Sequence, residues 1–115
     1  MEKNVKIAIL LDIYGSLLTE KQYKLLDDYY NKDLSLSEIG ENENITRQAV
    51  RDNLLKGENN LFEYEAKLGL MKKQEKQEDN IKKLSENVEE LGKLITDKKQ
   101  VKLLAQIKKQ IGKIK

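Results

Sequence analysis

The sequence predicts an all-α fold: a helical bundle containing a helix-turn-helix, followed by an amphipathic helical extension. Three observations carry that prediction. Apolar residues recur at spacings of three and four along most of the chain, the period of a helix face. Helix-start signals, Ser or Thr followed three residues later by Glu or Gln, occur at Thr19/Gln22 and Ser35/Glu38. The 115 residues include no Pro to break a helix interior, and 37% are charged against only six aromatics. That balance suits long solvated helices around a modest core.

The first helix spans residues 5–14, with Ile7, Leu10, Leu11 and Tyr14 as its stripe and Gly15 as a stop in the left-handed conformation. Thr19 then caps a second helix that runs to Tyr30. Thr19 and Gln22 form its capping box, and Leu18 and Tyr23 its hydrophobic staple. After the polar loop Asn31-Lys32-Asp33 the same grammar returns, with Ser35 and Glu38 as the box and Leu34 and Ile39 as the staple. This helix is short. Asn44 stands where a left-handed turn residue belongs, and Thr46 caps the next helix. There Val50, Leu54, Gly57, Leu61, Tyr64 and Leu68 step by four and three along one seam. Gly57 in that seam invites close approach of another helix, and Gly69 closes it.

Residues 1–70 thus form a helix-turn-helix domain and residues 71–115 a Lys-rich helical extension. In the extension, Ile81, Leu84, Val88, Leu91 and Ile95 make an a/d seam on a helix over 74–95. Thr96-Asp97 caps a last helix over 98–114 with Leu104, Ile107, Ile111 and Ile114 as its stripe. The two seams offer more apolar surface than residues 1–45 obviously cover, which predicts a homodimer. On that view Leu61→Asp breaks the dimer seam.

Composition narrows the function. Without Cys or His there is no thiol nucleophile, no zinc ribbon and no usual general base. No metal site, cofactor or enzymatic activity is expected. The adjacent acids Asp27-Asp28 and Glu89-Glu90 point apart on a helix and read as solvated faces. The tyrosines at 14, 23, 29, 30 and 64 sit at core spacing, although aromatic rings also stack on RNA bases. The longest apolar run, residues 7–11, is far short of the ~20 needed for a membrane span, and the start lacks a signal-peptide pattern. A cytoplasmic protein is expected.

The net charge of +2 hides an asymmetry: residues 1–45 carry −4, 46–69 are neutral and 70–115 carry +6. Beyond Asp97 lie seven Lys and no acid, so the extension is the part that would approach a polyanion.

Residues 35–54 have the spacing of a helix-turn-helix, with Ile39, Gly40, Ile45, Val50 and Leu54 facing inward. The first turn of the second helix presents Arg47, Gln48 and Arg51 outward. Arg pairs with guanine and Gln with adenine in the major groove, and Thr46 at the helix N-terminus suits a phosphate. A plain three-helix packing unit has the same pattern, and Glu43 and Asp52 flank the would-be reading face. In the extension Lys98, Lys99, Lys102, Lys108, Lys109 and Lys113 could follow a nucleic-acid backbone. The same helix suits an anionic membrane surface, or packs on its own or a second subunit with Lys keeping it soluble.

The strings DIYGSLLTEKQ at 12–22, Tyr29-Tyr30, LSLSEI at 34–39, ITRQAV at 45–50, Asp52-Asn53 and YEAKLGL at 64–70 closely resemble the YlxM-like helix-turn-helix proteins. The genes of these bacterial proteins accompany that of the signal recognition particle GTPase. The chain departs from their pattern at Asn44, where Gly is usual, and at Gly40, where Ala is usual. More distantly, residues 18–50 are similar to the promoter-reading helix-turn-helix of sigma factors. The resemblance implies an all-helical, dimeric, non-enzymatic regulator in the signal recognition particle pathway, with that GTPase or its RNA as partner. The competing expectation is a transcription regulator reading a pseudo-palindrome in duplex DNA as a dimer.

Overall fold

The computed structural model describes residues 2–114 and contains six α-helices and no strand among them. They are α1 (Lys3–Tyr14), α2 (Glu20–Tyr30), α3 (Leu36–Glu43), α4 (Arg47–Leu68), α5 (Leu70–Leu94) and α6 (Lys98–Ile114), with a 3-10 turn at Gly15–Leu17. The chain forms two compact units, Met1–Met71 and Lys72–Lys115.

In the first unit α4 is the central helix, and α1, α2 and α3 all pack on it. Ile7, Leu10, Leu11 and Tyr14 of α1 meet Leu25 and Leu26 of α2, Ile39 of α3, and Val50, Leu54 and Leu61 of α4 in one buried core. This corrects the dimer argument for the α4 seam. Val50 and Leu61 are fully buried inside their own chain, because α1, α2 and α3 together cover the seam. Leu68, at its far end, is exposed instead. Gly57 does admit a neighbour: a Cβ there would stand 2.7 Å from Leu26 Cδ1 of α2.

The helix starts follow local side-chain chemistry. Ser35 Oγ accepts from Glu38 N–H, and Glu38 Oε1 from Ser35 N–H, both at 3.1 Å, a complete capping box. At α2 the box is half made. Thr19 Oγ1 accepts from Gln22 N–H at 3.1 Å, while Gln22 Oε1 accepts from Asn60 Nδ2 of α4. A partner from another helix has taken the side chain.

Gly15 differs from expectation in conformation. Its φ of −55° and ψ of −35° are right-handed helical, so backbone freedom is not why glycine stands there. The Tyr23 ring lies against it, and a Cβ would come within 2.6 Å of Tyr23 Cε2.

Helix α5 starts at Leu70, four residues earlier than the sequence suggests. Gly69 turns the chain in the left-handed conformation (φ 61°), and distant side chains satisfy the first α5 amides. Leu70 N–H donates to the Tyr14 hydroxyl at 3.0 Å, and Met71 N–H to Glu65 Oε1 at 2.9 Å. The Tyr14 hydroxyl itself donates to Glu65 Oε1 at 2.7 Å. Free amides at a helix N-terminus need such partners.

Two buried acids also depart from the solvated picture. Asp28 is buried, with Lys32 Nζ 3.4 Å from its carboxylate. Glu58 sits within the α4 seam, accepting from the Tyr30 hydroxyl with Lys3 Nζ at 3.7 Å.

The second unit is a helical hairpin. Helices α5 and α6 run antiparallel, as Gly92 against Leu104 and Glu89 against Lys108 require. Val88, Leu104 and Ile111 are its buried residues, with Ile81, Ile95 and Ile107 packed around them. Asp97 caps α6, its Oδ1 accepting from Lys99 N–H at 3.4 Å and its carbonyl from Val101 N–H at 2.9 Å.

Candidate nucleic-acid interface

The helix-turn-helix consists of α3, the turn Asn44-Ile45-Thr46 and the first turns of α4. Asn44 adopts the left-handed conformation (φ 56°, ψ 44°) that the short turn demands. Ile45 N–H donates to the Gly40 carbonyl at 3.0 Å. A Cβ at Gly40 would stand 2.8 Å from the Ile45 carbonyl oxygen, so α3 and the turn meet backbone to backbone. Ile39 and Gly40 are buried as expected, and Ile45 joins the core from the turn.

Thr46 caps α4, its Oγ1 accepting from Ala49 N–H at 3.0 Å. Arg47, Gln48 and Arg51 are all exposed. Arg47 and Arg51 lie one turn apart and share a side of α4, as residues four apart on a helix do. The structure does not leave Gln48 unengaged: its Nε2 donates to Asp52 Oδ1 at 3.0 Å. The two flanking acids then diverge in role. Asp52 stays on the exposed face, whereas Glu43 turns to Lys24 of α2, 2.8 Å from its Nζ. The hydrogen bond and charge of Glu43 hold the Lys24 ammonium above its ordinary value. The Glu43–Lys24 contact is not legible in sequence spacing, since the two lie on different helices, whereas Gln48 and Asp52 are an ordinary pair four residues apart on α4.

The tyrosines are mostly structural. Tyr14 is buried, with the Tyr64 ring 5.9 Å away, and Tyr29 and Tyr30 meet edge to face at 5.0 Å. Burial, then hydrogen bonding to Glu65 or Glu58, raises the Tyr14 and Tyr30 hydroxyls above their ordinary range. Tyr23 is the more exposed ring, seated on Gly15.

On α6 the basic residues separate into two groups. Lys98, Lys102, Lys109 and Lys113 recur at four, seven and four residues, which places them on one side of the helix with Lys99 beside them. All five are exposed, and at 1.5 Å per residue they span about 22 Å. Lys108 points elsewhere, its Nζ 3.0 Å from Glu89 Oε1 of α5. The seventh, Lys115, lies outside the described residues. Leu104 and Ile111, the apolar side of this helix, are buried in the hairpin. No group of His, Cys, Asp or Glu able to hold a metal occurs among the described residues, and no helix there is long and apolar enough to cross a membrane.

A short α3, a three-residue turn and a longer capped α4 on a closed helical core define the first unit as a helix-turn-helix domain. Comparison with known proteins gives the family. Residues 1–110 match the UPF0122 family, described as "Putative helix-turn-helix protein, YlxM / p13 like", and the chain belongs to that family. A UPF0122 protein of Clostridium acetobutylicum is 41% identical over 112 residues, covering 97% of each chain. One from Acetivibrio thermocellus is 37% identical over 114 residues, covering 99% of this chain and 97% of its own. One from Clostridium kluyveri is 47% identical over 91 residues, or 79% and 82%. The family is described by its helix-turn-helix and not as an enzyme.

Proposed function

We propose that this protein is a cytoplasmic, non-enzymatic regulator that contacts nucleic acid mainly through the Lys face of α6. Its setting is the signal recognition particle pathway, with the particle's RNA or GTPase as partner. The observation that carries the nucleic-acid part is the row of Lys98, Lys99, Lys102, Lys109 and Lys113, exposed and free of acids over about 22 Å. Neutralising phosphates is the main sequence-independent source of affinity for nucleic acid. Residues 1–69 carry net −4, so the helix-turn-helix side is the poorer electrostatic match. The pathway rests on the resemblance to YlxM-like proteins.

The test is fluorescence anisotropy of the full chain against labelled signal recognition particle RNA and random duplex DNA, at low and near-physiological salt. Binding to the RNA that survives added salt supports the proposal. In Lys102→Gln plus Lys109→Gln plus Lys113→Gln, the slope of log K against log salt then falls by about 2–3, at ~0.7–0.9 per phosphate contact. An unchanged slope removes α6 from the interface, and no binding to either probe leaves the GTPase as the partner to test.

A second reading has its own observation: Arg47 and Arg51 are both exposed on the first turns of α4. On this reading Thr46, Arg47, Gln48 and Arg51 read duplex DNA in a dimer on a pseudo-palindrome, in the manner of the distantly similar sigma-factor domain. Gln48 must then exchange Asp52 for a base. Arg47→Ala plus Arg51→Ala abolishes sequence discrimination on this reading, each bidentate Arg–guanine pair being worth about 1–3 kcal/mol. Unchanged selectivity disposes of it.

A further inference from the structure

Part of the segment 12–22 serves the fold and part does not. Tyr14 holds the start of α5, Gly15 seats the Tyr23 ring, and Thr19 caps α2. Asp12 near the end of α1 and Glu20 at the start of α2 are both exposed. Neither side chain has a hydrogen-bond or ion-pair partner among the described residues. Helical neighbours do not neutralise them either. No Lys or Arg lies three or four residues from Asp12, and Lys24, four residues after Glu20, is held 2.8 Å from Glu43. The two carboxylates share a concavity of about 470 Å³ with Leu11, Gly15, Leu18 and Tyr23, and no basic residue lines it. Leu11 is buried and Leu18 half-buried, so part of the lining is apolar. Tyr23 is 43% exposed, and its ring rests on Gly15, where a Cβ would stand 2.8 Å from Cδ2.

We infer that this concavity takes the guanidinium side chain of an arginine on a partner protein. Each part of that side chain has its counterpart. The methylene stem suits Leu11 and Leu18, as long basic side chains lay their stems on apolar surface. The positive charge suits Asp12 and Glu20, two carboxylates left without a cation in their own chain. The planar head suits the Tyr23 ring, since a cation is attracted to an aromatic face. A guanidinium fits better than an ammonium: it is flat, stacks on rings, forks onto carboxylates and is more weakly hydrated. Preorganisation helps as well. The seat on Gly15 holds the ring in place before binding, so little ordering is left to oppose it. Charge also excludes the other macromolecular partner. Two bare carboxylates oppose phosphates, and residues 1–45 carry net −4, a field that draws a basic protein surface toward this side of the unit.

The site lies wholly in the first unit and does not depend on nucleic-acid contact through α6. The full chain, isotopically labelled for amide NMR, is titrated with N-acetyl-arginine methylamide and, separately, with its uncharged citrulline isostere. With the arginine probe the amides of Gly15, Ser16, Leu18 and Tyr23 are expected to shift and to saturate at millimolar concentration. The citrulline probe is expected to give no saturating shift, and the α6 amides are expected to stay in place with both. Asp12→Asn plus Glu20→Gln is expected to abolish saturation while the remaining spectrum reports an intact fold, both side chains being exposed. Tyr23→Leu keeps an apolar cover over Gly15 and is expected to weaken binding by about two- to five-fold, the worth of an exposed cation–ring contact. No saturating shift with the arginine probe overturns the inference, as do shifts centred elsewhere, an equal response to citrulline, or unchanged binding in the Asn/Gln double variant. Equal binding of N-acetyl-lysine methylamide overturns the assignment to a guanidinium.

Discussion

Replacing Tyr14 with Phe isolates one hydroxyl at the junction between α4 and α5. The ring stays, so no cavity opens in the core, and the change is confined to polar contacts. The hydroxyl donates to Glu65 Oε1 at 2.7 Å and accepts from Leu70 N–H at 3.0 Å, at a residue only 1% exposed. A hydrogen bond between neutral groups contributes about 1 kcal/mol net and one to a charged group about 1.5–3. Phe at 14 also strands the first amide of α5. Tyr14→Phe is therefore expected to lower the stability of the first unit by about 2–4 kcal/mol. In urea denaturation the midpoint falls by roughly 2 M or more if the slope is about 1 kcal/mol/M, with that slope unchanged. Glu65→Gln, alone and combined with Tyr14→Phe, completes a double-mutant cycle, and a coupling above about 1 kcal/mol assigns the loss to this pair. A loss below about 0.5 kcal/mol for Tyr14→Phe would refute the reasoning, because water would then have replaced the hydroxyl at no net cost.

Leu61→Asp, with Leu61 fully buried among α1–α4, is expected to unfold the first unit, not to separate two subunits. The loss is about 4 kcal/mol or more, and a folded variant of unchanged circular dichroism would contradict the core assignment. Thr46→Ala removes the acceptor of the Ala49 amide and is expected to lower stability by about 1 kcal/mol, read by urea denaturation; no change would mean that water caps α4 equally well. Tyr14 and Tyr30 stay neutral in the folded chain to higher pH than their ordinary 10.0. The folded state thus holds more protons above that value, so the stability these groups give is complete below pH 10 and is lost as pH rises through their folded values. A phenolate absorbance titration should show a late component in the folded chain that merges with the rest in denaturant, and a single early transition in the folded chain would refute it.

Local grammar decides which parts of this fold can be read from sequence. Ser35/Glu38, Asn44 and Thr46 act on amides or carbonyls within four residues, so the helix-turn-helix and its turn conformation are visible in the letters alone. The apolar stripes likewise give most of the buried positions, and with them the exposure of Arg47, Gln48, Arg51 and the α6 lysines, but Leu68, Leu84, Leu91 and Ile114 of those stripes stay exposed. What escapes depends on distant partners. The start of α5 rests on Tyr14, 56 residues from the amide it accepts, and Gly15 is explained by the ring of Tyr23 and not by its own φ. The buried carboxylate of Glu58 is anchored by Tyr30 and Lys3, both on other helices. At the candidate interface, Glu43 turns to Lys24 on another helix.

The contrast between the two units bears on how the chain divides its tasks. In the first unit the apolar stripes of α1–α4 bury one another in a single core, and residues 1–69 carry net negative charge. A helix-turn-helix with such a surface can be stable without approaching DNA closely. The second unit has a thinner buried layer, Val88, Leu104 and Ile111, and its lysines beyond Asp97 have no acid among them in sequence. Substitutions should sort accordingly. Changes at Leu61 or Tyr14 act on folding and reach function only through loss of the protein. On the proposed function, changes at Lys109 act on polyanion contact while the first unit stays folded. The second group is therefore where a loss of regulation can be separated from a loss of structure, and it is where variants made to test function belong.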